Sequence, residues 1–212
     1  MTGNTEFYAS NRTAEVSRKT SETSISIKLN LDGTGKCDIQ TGVGFLDHML
    51  NQITCHGLFD LTIKAQGDLD VDCHHTVEDV GLALGEAFSK ALGSRKGIVR
   101  MGEATVPMDE SLAFTCVDLS GRPYCVCKTA WQSETVGSIP VSLIEHFWYS
   151  FSVTSGCNLH IRVLEGRDNH HIAEAIFKSA ARALLTATRL DPRRAGTVPS
   201  TKGALRSQEQ SV

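Results

Sequence analysis

The 212-residue chain lacks the features that mark several large classes of protein. It has no long uncharged apolar run. The longest, Val141 to Leu159, is broken by Glu145, His146, serines and a glycine, so no transmembrane helix is expected. It has no charge excess of one sign: the net charge of −3 gives no bulk footprint for nucleic acid, and any basic residues that matter must act locally. The first eleven residues carry no apolar run, so no secretory signal is expected and a cytoplasmic location is. No P-loop and no Gly-x-Gly-x-x-Gly after a strand is found, so no nucleotide cofactor is indicated. What is there is 41% hydrophobic and 21% charged residues, the balance of a packed core rather than of a disordered chain, a collagen or a coiled coil.

The seven cysteines, Cys37, Cys55, Cys73, Cys116, Cys125, Cys127 and Cys157, are an odd number scattered through apolar segments. They read as buried free thiols in a reducing compartment. Cys125 and Cys127 would share one face of a strand, and are read as two buried thiols rather than a metal pair.

Six of the eight histidines fall into two matching groups. Leu46-Asp47-His48-Met49 is followed 26 residues after its histidine by His74-His75-Thr76-Val77-Glu78, and Ile144-Glu145-His146-Phe147 is followed after 24 by His170-His171-Ile172-Ala173-Glu174. The flanks match as well: Asn30-Leu31-Asp32-Gly33 with Asp118-Leu119-Ser120-Gly121, and Leu61-Thr62-Ile63-Lys64 with Leu159-His160-Ile161-Arg162. Two copies of a unit of roughly 90 residues form a pseudo-symmetric pair, not a solenoid.

Each unit reads in the order ββαβα. The strand Thr23 to Leu31 alternates, with Ile25, Ile27 and Leu29 on one face; its copy, Ser111 to Leu119, is expected to use Leu112, Phe114 and Cys116. A second strand follows, clearest at Cys125 to Thr129. Apolar residues spaced three and four apart then mark a helix around Phe45–Ile53 and another around Leu143–Phe151. A short strand leads into each His-His pair, which opens a long helix. This mixture predicts an α+β fold of two half-domains, 12–98 and 99–205, with helices on one face of each sheet. Residues 1–11 read as an N-terminal extension and 206–212 as a polar, disordered tail.

His74 and Glu78 are four apart on a helix and His75 and Glu78 three apart, so imidazole and carboxylate share a face as metal ligands do. Adjacent histidines diverge by about 100° on a helix, so His74 and His75 are not expected to share one ion, and each pair should serve two sites. Six histidines and two glutamates divide into two sites of three histidines and one carboxylate, leaving open positions for an octahedral catalytic ion. Imidazole suits Zn, Fe or Ni, and the carboxylate admits Mn. His160 reads as a strand residue and His56 as a site neighbour. Of the basic residues, Arg193-Arg194, Arg100, Arg122 and Lys178 are candidates for anion contact. Pro199-Ser200-Thr201-Lys202-Gly203 is more specific, since hydroxyls, a lysine and a glycine-freed backbone can cradle a phosphate. Ligand sets of this kind also admit a dinuclear metal hydrolase and a structural assembly stapled by metal.

Gly44-Phe45-Leu46-Asp47-His48-Met49, Asp72-Cys73-His74-His75-Thr76-Val77-Glu78-Asp79 and His170-His171-Ile172-Ala173-Glu174-Ala175-Ile176-Phe177-Lys178 resemble the imidazoleglycerol-phosphate dehydratase family over roughly residues 12 to 205. The resemblance implies a hydro-lyase of histidine biosynthesis that converts imidazole glycerol phosphate to imidazole acetol phosphate. It implies half-domains of the ribosomal protein S5 domain 2-like type, two Mn²⁺ ions per active site, and a shell of 24 subunits built from trimers with active sites between subunits. Carried over by position, the metal ligands are His48, His74, His75, Glu78, His146, His170, His171 and Glu174. Glu22 becomes the acid/base, and Glu22, His48, Gln52, His74, Arg100, Arg122, His170, Lys178, Ser200, Thr201 and Lys202 become substrate contacts. One departure stands out: Asp168 occupies the place where the family usually has asparagine, with implications for the hydrogen bonding around His170.

Overall fold

A computed structural model describes residues 12–205; the extension and the tail expected at the two ends lie outside them. Ile25, Ile27 and Leu29 alternate with Ser24, Ser26 and Lys28, and a pleated strand puts the apolar set on one face. This is β2 (Thr23–Asn30), with its apolar face fully buried. β1 (Thr13–Lys19) and β4 (Asp60–Gly67) flank it antiparallel, and β3 (Cys37–Gln40) runs parallel to β4 at the far edge. The second half repeats the order and the senses: β5 (Met101–Met108), β6 (Ser111–Asp118), β10 (Asn158–Glu165) and β7 (Tyr124–Lys128).

Four helices connect and cover the sheets: α1 (Gly44–Gly57), α2 (His74–Leu92), α3 (Val141–Ser155) and α4 (Asn169–Thr188). α2 packs on the inner face of the first sheet and α4 on that of the second. Between the sheets the layers pair crosswise, α1 on α4 and α2 on α3, around one continuous apolar core. The α2–α3 contact is close: a Cβ on Gly85 would stand 2.4 Å from the Phe151 carbonyl oxygen, and one on Gly81 2.8 Å from that of Phe147. Only glycine at these two positions lets α2 approach α3 so nearly. A small hairpin, β8 (Thr135–Val136) with β9 (Ile139–Pro140), leads into α3. No helix among the described residues is long and apolar enough to cross a membrane.

The duplicated α+β architecture agrees with the pattern in the sequence, and four details differ. Each half has three strands of its main sheet before its first helix, not two, and the second half adds the β8–β9 hairpin. β1 and β5 are edge strands whose inward residues, such as Ala14, Gly102 and Ala104, are too small for a strong apolar alternation. Glu22 therefore sits in the β1–β2 turn instead of starting the first strand. The inward face of β6 is Ala113, Thr115 and Val117, while Leu112, Phe114 and Cys116 lie half-exposed on the outer face. Both faces of that strand carry apolar residues, so alternation does not choose between them. Close packing of α4 chooses the small set: a Cβ on Gly102 would lie 2.1 Å from the Ala183 carbonyl oxygen, and the Thr115 hydroxyl meets that of Ser179 at 2.7 Å. Finally, the cysteines are free, but Cys157 alone is fully buried; Cys37 and Cys55 are exposed and the other four half-buried. Cys125 and Cys127 pack against the core, where burial pushes the Cys125 thiol up to about 12 and raises Cys127 as well, so both are protonated thiols.

Candidate metal centre

Each His-His pair stands in the first turn of a helix, where a carboxylate two residues upstream of the pair accepts from free backbone N–H groups. The Asp72 carboxylate accepts from the His74 N–H at 2.7 Å, and Asp168 accepts from those of His170 and His171 at 2.7 and 3.4 Å. Asp168, the departure noted in the sequence, thus does for α4 what Asp72 does for α2: it satisfies free donors and complements the helix dipole. The neighbouring Asn169 is buried and ties α4 to the 132–135 loop through Gln132, Ser133 and Thr135.

The crosswise helix pairing decides which histidines meet. His48 of α1 meets His170 and Glu174 of α4, and His146 of α3 meets His74 and Glu78 of α2. In each group one donor atom per residue lies within 4.8 Å of the others. The two histidine ring pairs, His48–His170 and His74–His146, have the same centroid separation of 5.3 Å. So the lone histidine of each half joins the pair of the other half, a partition that sequence spacing leaves open.

The clusters share donors and differ in surroundings. Glu174 is buried; its Oε1 lies 2.8 Å from His48 Nε2 and 3.1 Å from His170 Nε2, and its Oε2 lies 2.5 Å from Lys178 Nζ. Burial alone would raise this carboxyl, but hydrogen bonds from Lys178, His48 and His170 outweigh it and bring the group down to about 2. Glu78 is half-exposed, at 3.7 Å from His74 Nε2 and 3.5 Å from His146 Nε2, and the residue one turn on is Leu82. His146 Nε2 is buried with no hydrogen-bond partner among the described residues. Two imidazole nitrogens and a carboxylate aimed at one point, one of them a buried orphan, fit a divalent transition metal.

His75 and His171, both expected as ligands, belong to neither cluster. Their Nδ1 atoms donate to carboxylates: His75 to Asp68 at 3.0 Å, and His171 to Glu110 at 2.7 Å. These bonds raise both imidazoles above their ordinary value of 6.5; the Asp168 N–H first, and then the bond from His171, hold Glu110 well below the usual carboxylate range. Glu22 Oε1 lies 3.9 Å from His75 Nε2, on the other side of the ring from Asp68. The turn that carries Glu22 is anchored. Thr20 Oγ1 accepts from the Glu22 and Thr23 N–H groups, and the Thr23 hydroxyl donates at 2.5 Å to buried Asp79, which also pairs with Arg18 at 2.8 Å.

The phosphate candidates gather elsewhere. Arg100, Arg122, Ser200, Thr201 and Lys202 line one cavity of about 590 Å³. Arg122 and Lys202 are exposed there, whereas Arg100 is held by Asp118 at 2.7 and 2.9 Å and donates to the Pro199 carbonyl at 2.7 Å. Lys178 lies at the Glu174 cluster instead, and Gln52 bonds His56 at 3.2 Å. Burial, with Lys178 and Arg182 nearby, lowers His56. His160 is an exposed strand residue, and Arg193 is paired with Asp191 on the surface. Three residues of these environments escape sequence reading. Ser120, whose buried hydroxyl has no partner among the described residues, lines the cavity; Asp68 and Glu110 anchor histidines. Ser120 and Glu110 stand in loops without a motif, though Ser120 does fall in the repeated flank Asp118–Gly121.

Comparison with known proteins bears on this geometry. A sequence model of imidazoleglycerol-phosphate dehydratase matches residues 41–184, two thirds of the chain. The chain is 55% identical over 197 residues to the imidazoleglycerol-phosphate dehydratase of Roseiflexus sp. RS-1, covering 93% of this chain and 99% of that one. It is 55% identical over 194 residues to that of Dehalococcoides mccartyi, covering 92% and 97%. The crystal structure of the Staphylococcus aureus dehydratase superimposes with a TM-score of 0.77 at 36% identity, over 84% of this chain and 99% of that one. The Pyrococcus furiosus structure superimposes with 0.78 at 35%, over 90% and 100%. With sequence and fold agreeing over nearly the full length of these relatives, the chain belongs to the imidazoleglycerol-phosphate dehydratase family, the hydro-lyases of histidine biosynthesis that remove water from imidazole glycerol phosphate.

Proposed function

We propose that this dehydratase holds Mn²⁺ at two clusters, His48–His170–Glu174 and His74–Glu78–His146, and that His75 and His171 complete the same two sites in neighbouring copies of the chain. The observation that carries this reading is the split within each pair. One histidine turns into a cluster with two other donors, and the other turns away, fixed at Nδ1 with Nε2 left for a ligand. A three-donor cluster from one chain is an incomplete ligand set, and an outward histidine supplies what it lacks. Such exchange makes the enzyme a homo-oligomer; a closed shell of 24 subunits built from trimers is the assembly this reading adopts. The free thiols fit a cytoplasmic enzyme.

When bound, the ions supply Lewis-acid stabilisation of negative charge on the substrate's imidazole ring. The rest falls to the chain. The C–H bond to be broken is not adjacent to a carbonyl, so a positioned base is required. Glu22 is that base: its carboxylate is exposed at a turn pinned by Asp79 and reaches toward His75, outside both clusters. This reading gives the ring to His48 and His170 of one cluster and His74 of the other, with Gln52 on the same helix as His48. Arg122, Ser200, Thr201 and Lys202 bind the phosphate in their cavity, assisted by Arg100 and, from the metal side, Lys178. Phosphate contacts remote from the reacting carbon hold the substrate in place for the proton transfer.

The test is complementation between subunits. A His75→Ala/His171→Ala variant keeps its clusters and lacks outward ligands; a His48→Ala/His146→Ala variant lacks the clusters and keeps its outward ligands. Each alone should be inactive, and dissociating and reassembling them together with Mn²⁺ should restore turnover. No recovery at any mixing ratio, under conditions where the parent chain reassembles active, defeats the shared-site reading.

A further inference from the structure

Two carboxylates outside both donor clusters govern the outward histidines. His75 Nδ1 lies 3.2 and 3.0 Å from the two oxygens of Asp68, and His171 Nδ1 lies 2.7 Å from Glu110 Oε2. A carboxylate oxygen accepts, so Nδ1 bears a proton in each ring, and in the neutral ring the lone pair is then on Nε2. The carboxylates are themselves fixed. Glu110 Oε1 accepts from the Asp168 and Arg167 N–H groups at 2.9 and 3.2 Å and from the Ser111 hydroxyl at 3.1 Å, which leaves Oε2 to orient the ring. Asp68 stands at the start of the β4–α2 connection, where the Val71 N–H donates to its carbonyl at 2.9 Å.

The two anchors are not related by the repeat. Seven residues before His75 stands Asp68; seven before His171 stands Leu164. The second half draws its carboxylate from the β5–β6 turn, at Glu110 immediately before β6, the place Glu22 holds immediately before β2. Two unrelated positions have thus arrived at the same bond to the same ring nitrogen, which points to a requirement of the histidine rather than to a by-product of duplication.

The geometry points to Asp68 and Glu110 as the positioning residues of the two outward histidines: each locks its ring in the Nδ1–H tautomer, aims Nε2 away from its own chain's two donor clusters, to the side where Glu22 and Asp109 respectively stand 3.9 Å off, and makes that nitrogen a better donor to a metal in a neighbouring copy. The inference rests on the reading above that His75 and His171 are ligands, and the experiment separates the two.

Full-length protein is stripped of metal and titrated with Mn²⁺, free ion being read by electron paramagnetic resonance. Asp68→Ala and Glu110→Ala should weaken Mn²⁺ binding by about 10–100-fold with the number of sites unchanged. Asp68→Asn and Glu110→Gln retain an acceptor oxygen for Nδ1–H and should recover most of that loss, which a general structural defect would not allow. His75→Ala and His171→Ala, run alongside, should lose binding further. Alanine variants at Asp68 and Glu110 within twofold of the parent, with the histidine variants weak, overturn the positioning role and leave the shared-site reading standing. Amide variants no better than alanine also overturn it. Histidine variants that bind as well as the parent overturn both. Where Glu110→Ala does not fold, the Asp68 series decides, because the Asp68 side chain makes no other hydrogen bond among the described residues.

Discussion

The two histidine clusters come from one repeated unit, present the same three donors, and have diverged around them. At the second, Glu174 is buried, carries Lys178 against one oxygen, and gathers His48 and His170 on the other. At the first, Glu78 is half-exposed with longer histidine contacts, and its helix offers Leu82 where the other offers Lys178. The turns above them diverge in the same sense. In the first half Asp79 of α2 secures the β1–β2 turn and leaves Glu22 exposed; in the second, Glu110, in the place of Glu22, takes that securing role itself. Duplication supplied two equivalent frames, and under the proposed function the asymmetry gives them different work: one turn leaves a carboxylate exposed for proton transfer, while one cluster holds a lysine against its candidate ligand Glu174.

That comparison can be broken at several points. The largest effect is expected at the turns. Glu22→Gln should reduce kcat by about 10²–10⁴-fold with the unfolding temperature and Mn²⁺ content unchanged. A kcat within a few-fold of the parent, measured with metal content on one preparation, would remove Glu22 from the chemistry and with it the distinction between the turns.

Next come the clusters themselves. In metal-free protein, Glu174→Gln leaves the largely buried Lys178 without its partner and should cost about 3 kcal/mol in urea unfolding. Glu78→Gln, at a half-exposed carboxylate without a lysine, should cost under about 0.5 kcal/mol. Equal losses would show the difference in burial to be without consequence. In the phosphate cavity, Lys202→Ala should raise KM about tenfold and change kcat little, because a contact remote from the reacting bond stabilises ground and transition states alike. A collapsed kcat at constant KM would place Lys202 with the reacting atoms.

The smallest effect distinguishes the halves by pH. Asp60 begins β4 and accepts from the Thr34 and Lys36 N–H groups at 2.7 and 2.9 Å, bonds that lower its carboxyl from the ordinary value of 3.8. At the start of β10 the same task falls to a neutral amide, as Asn158 donates to the Arg122 carbonyl. A carboxyl lowered in the folded state contributes stability above its unfolded value, and that contribution is lost as pH falls through the folded value. Part of the acid loss of thermal stability below pH 3.8 should therefore disappear in Asp60→Asn. A pH profile identical to the parent's would mean that Asp60 makes no such contribution.

Much of this was legible in the sequence because the signals were local or repeated. The alternation in β2, the helical spacing around His48 and His146 and the doubled His-His motif each follow from one stretch of chain, and together they indicated a duplicated α+β protein with histidine–carboxylate sites. The edge strands β1 and β5 escaped because small inward residues leave little periodicity. Alternation points to the wrong face of β6 because both of its faces are apolar and the close approach of α4, permitted by Gly102, selects between them.

By itself, then, the sequence determined the repeat, the helices that open on paired histidines, the set of eight candidate ligands and, through resemblance, the family. The tertiary structure decided how those ligands divide. Whether His48 meets His74 or His170 depends on α1 crossing to α4 and α3 to α2, and the latter contact needs Gly81 and Gly85 to bring the backbones close. Which histidine of a pair turns inward follows from the 100° between adjacent helical residues only once the helix is docked. The anchors Asp68 and Glu110 reach their rings from a loop and a hairpin turn, 7 and 61 residues away in the chain. Periodicity describes one element at a time, and a metal site is made where side chains from several elements converge.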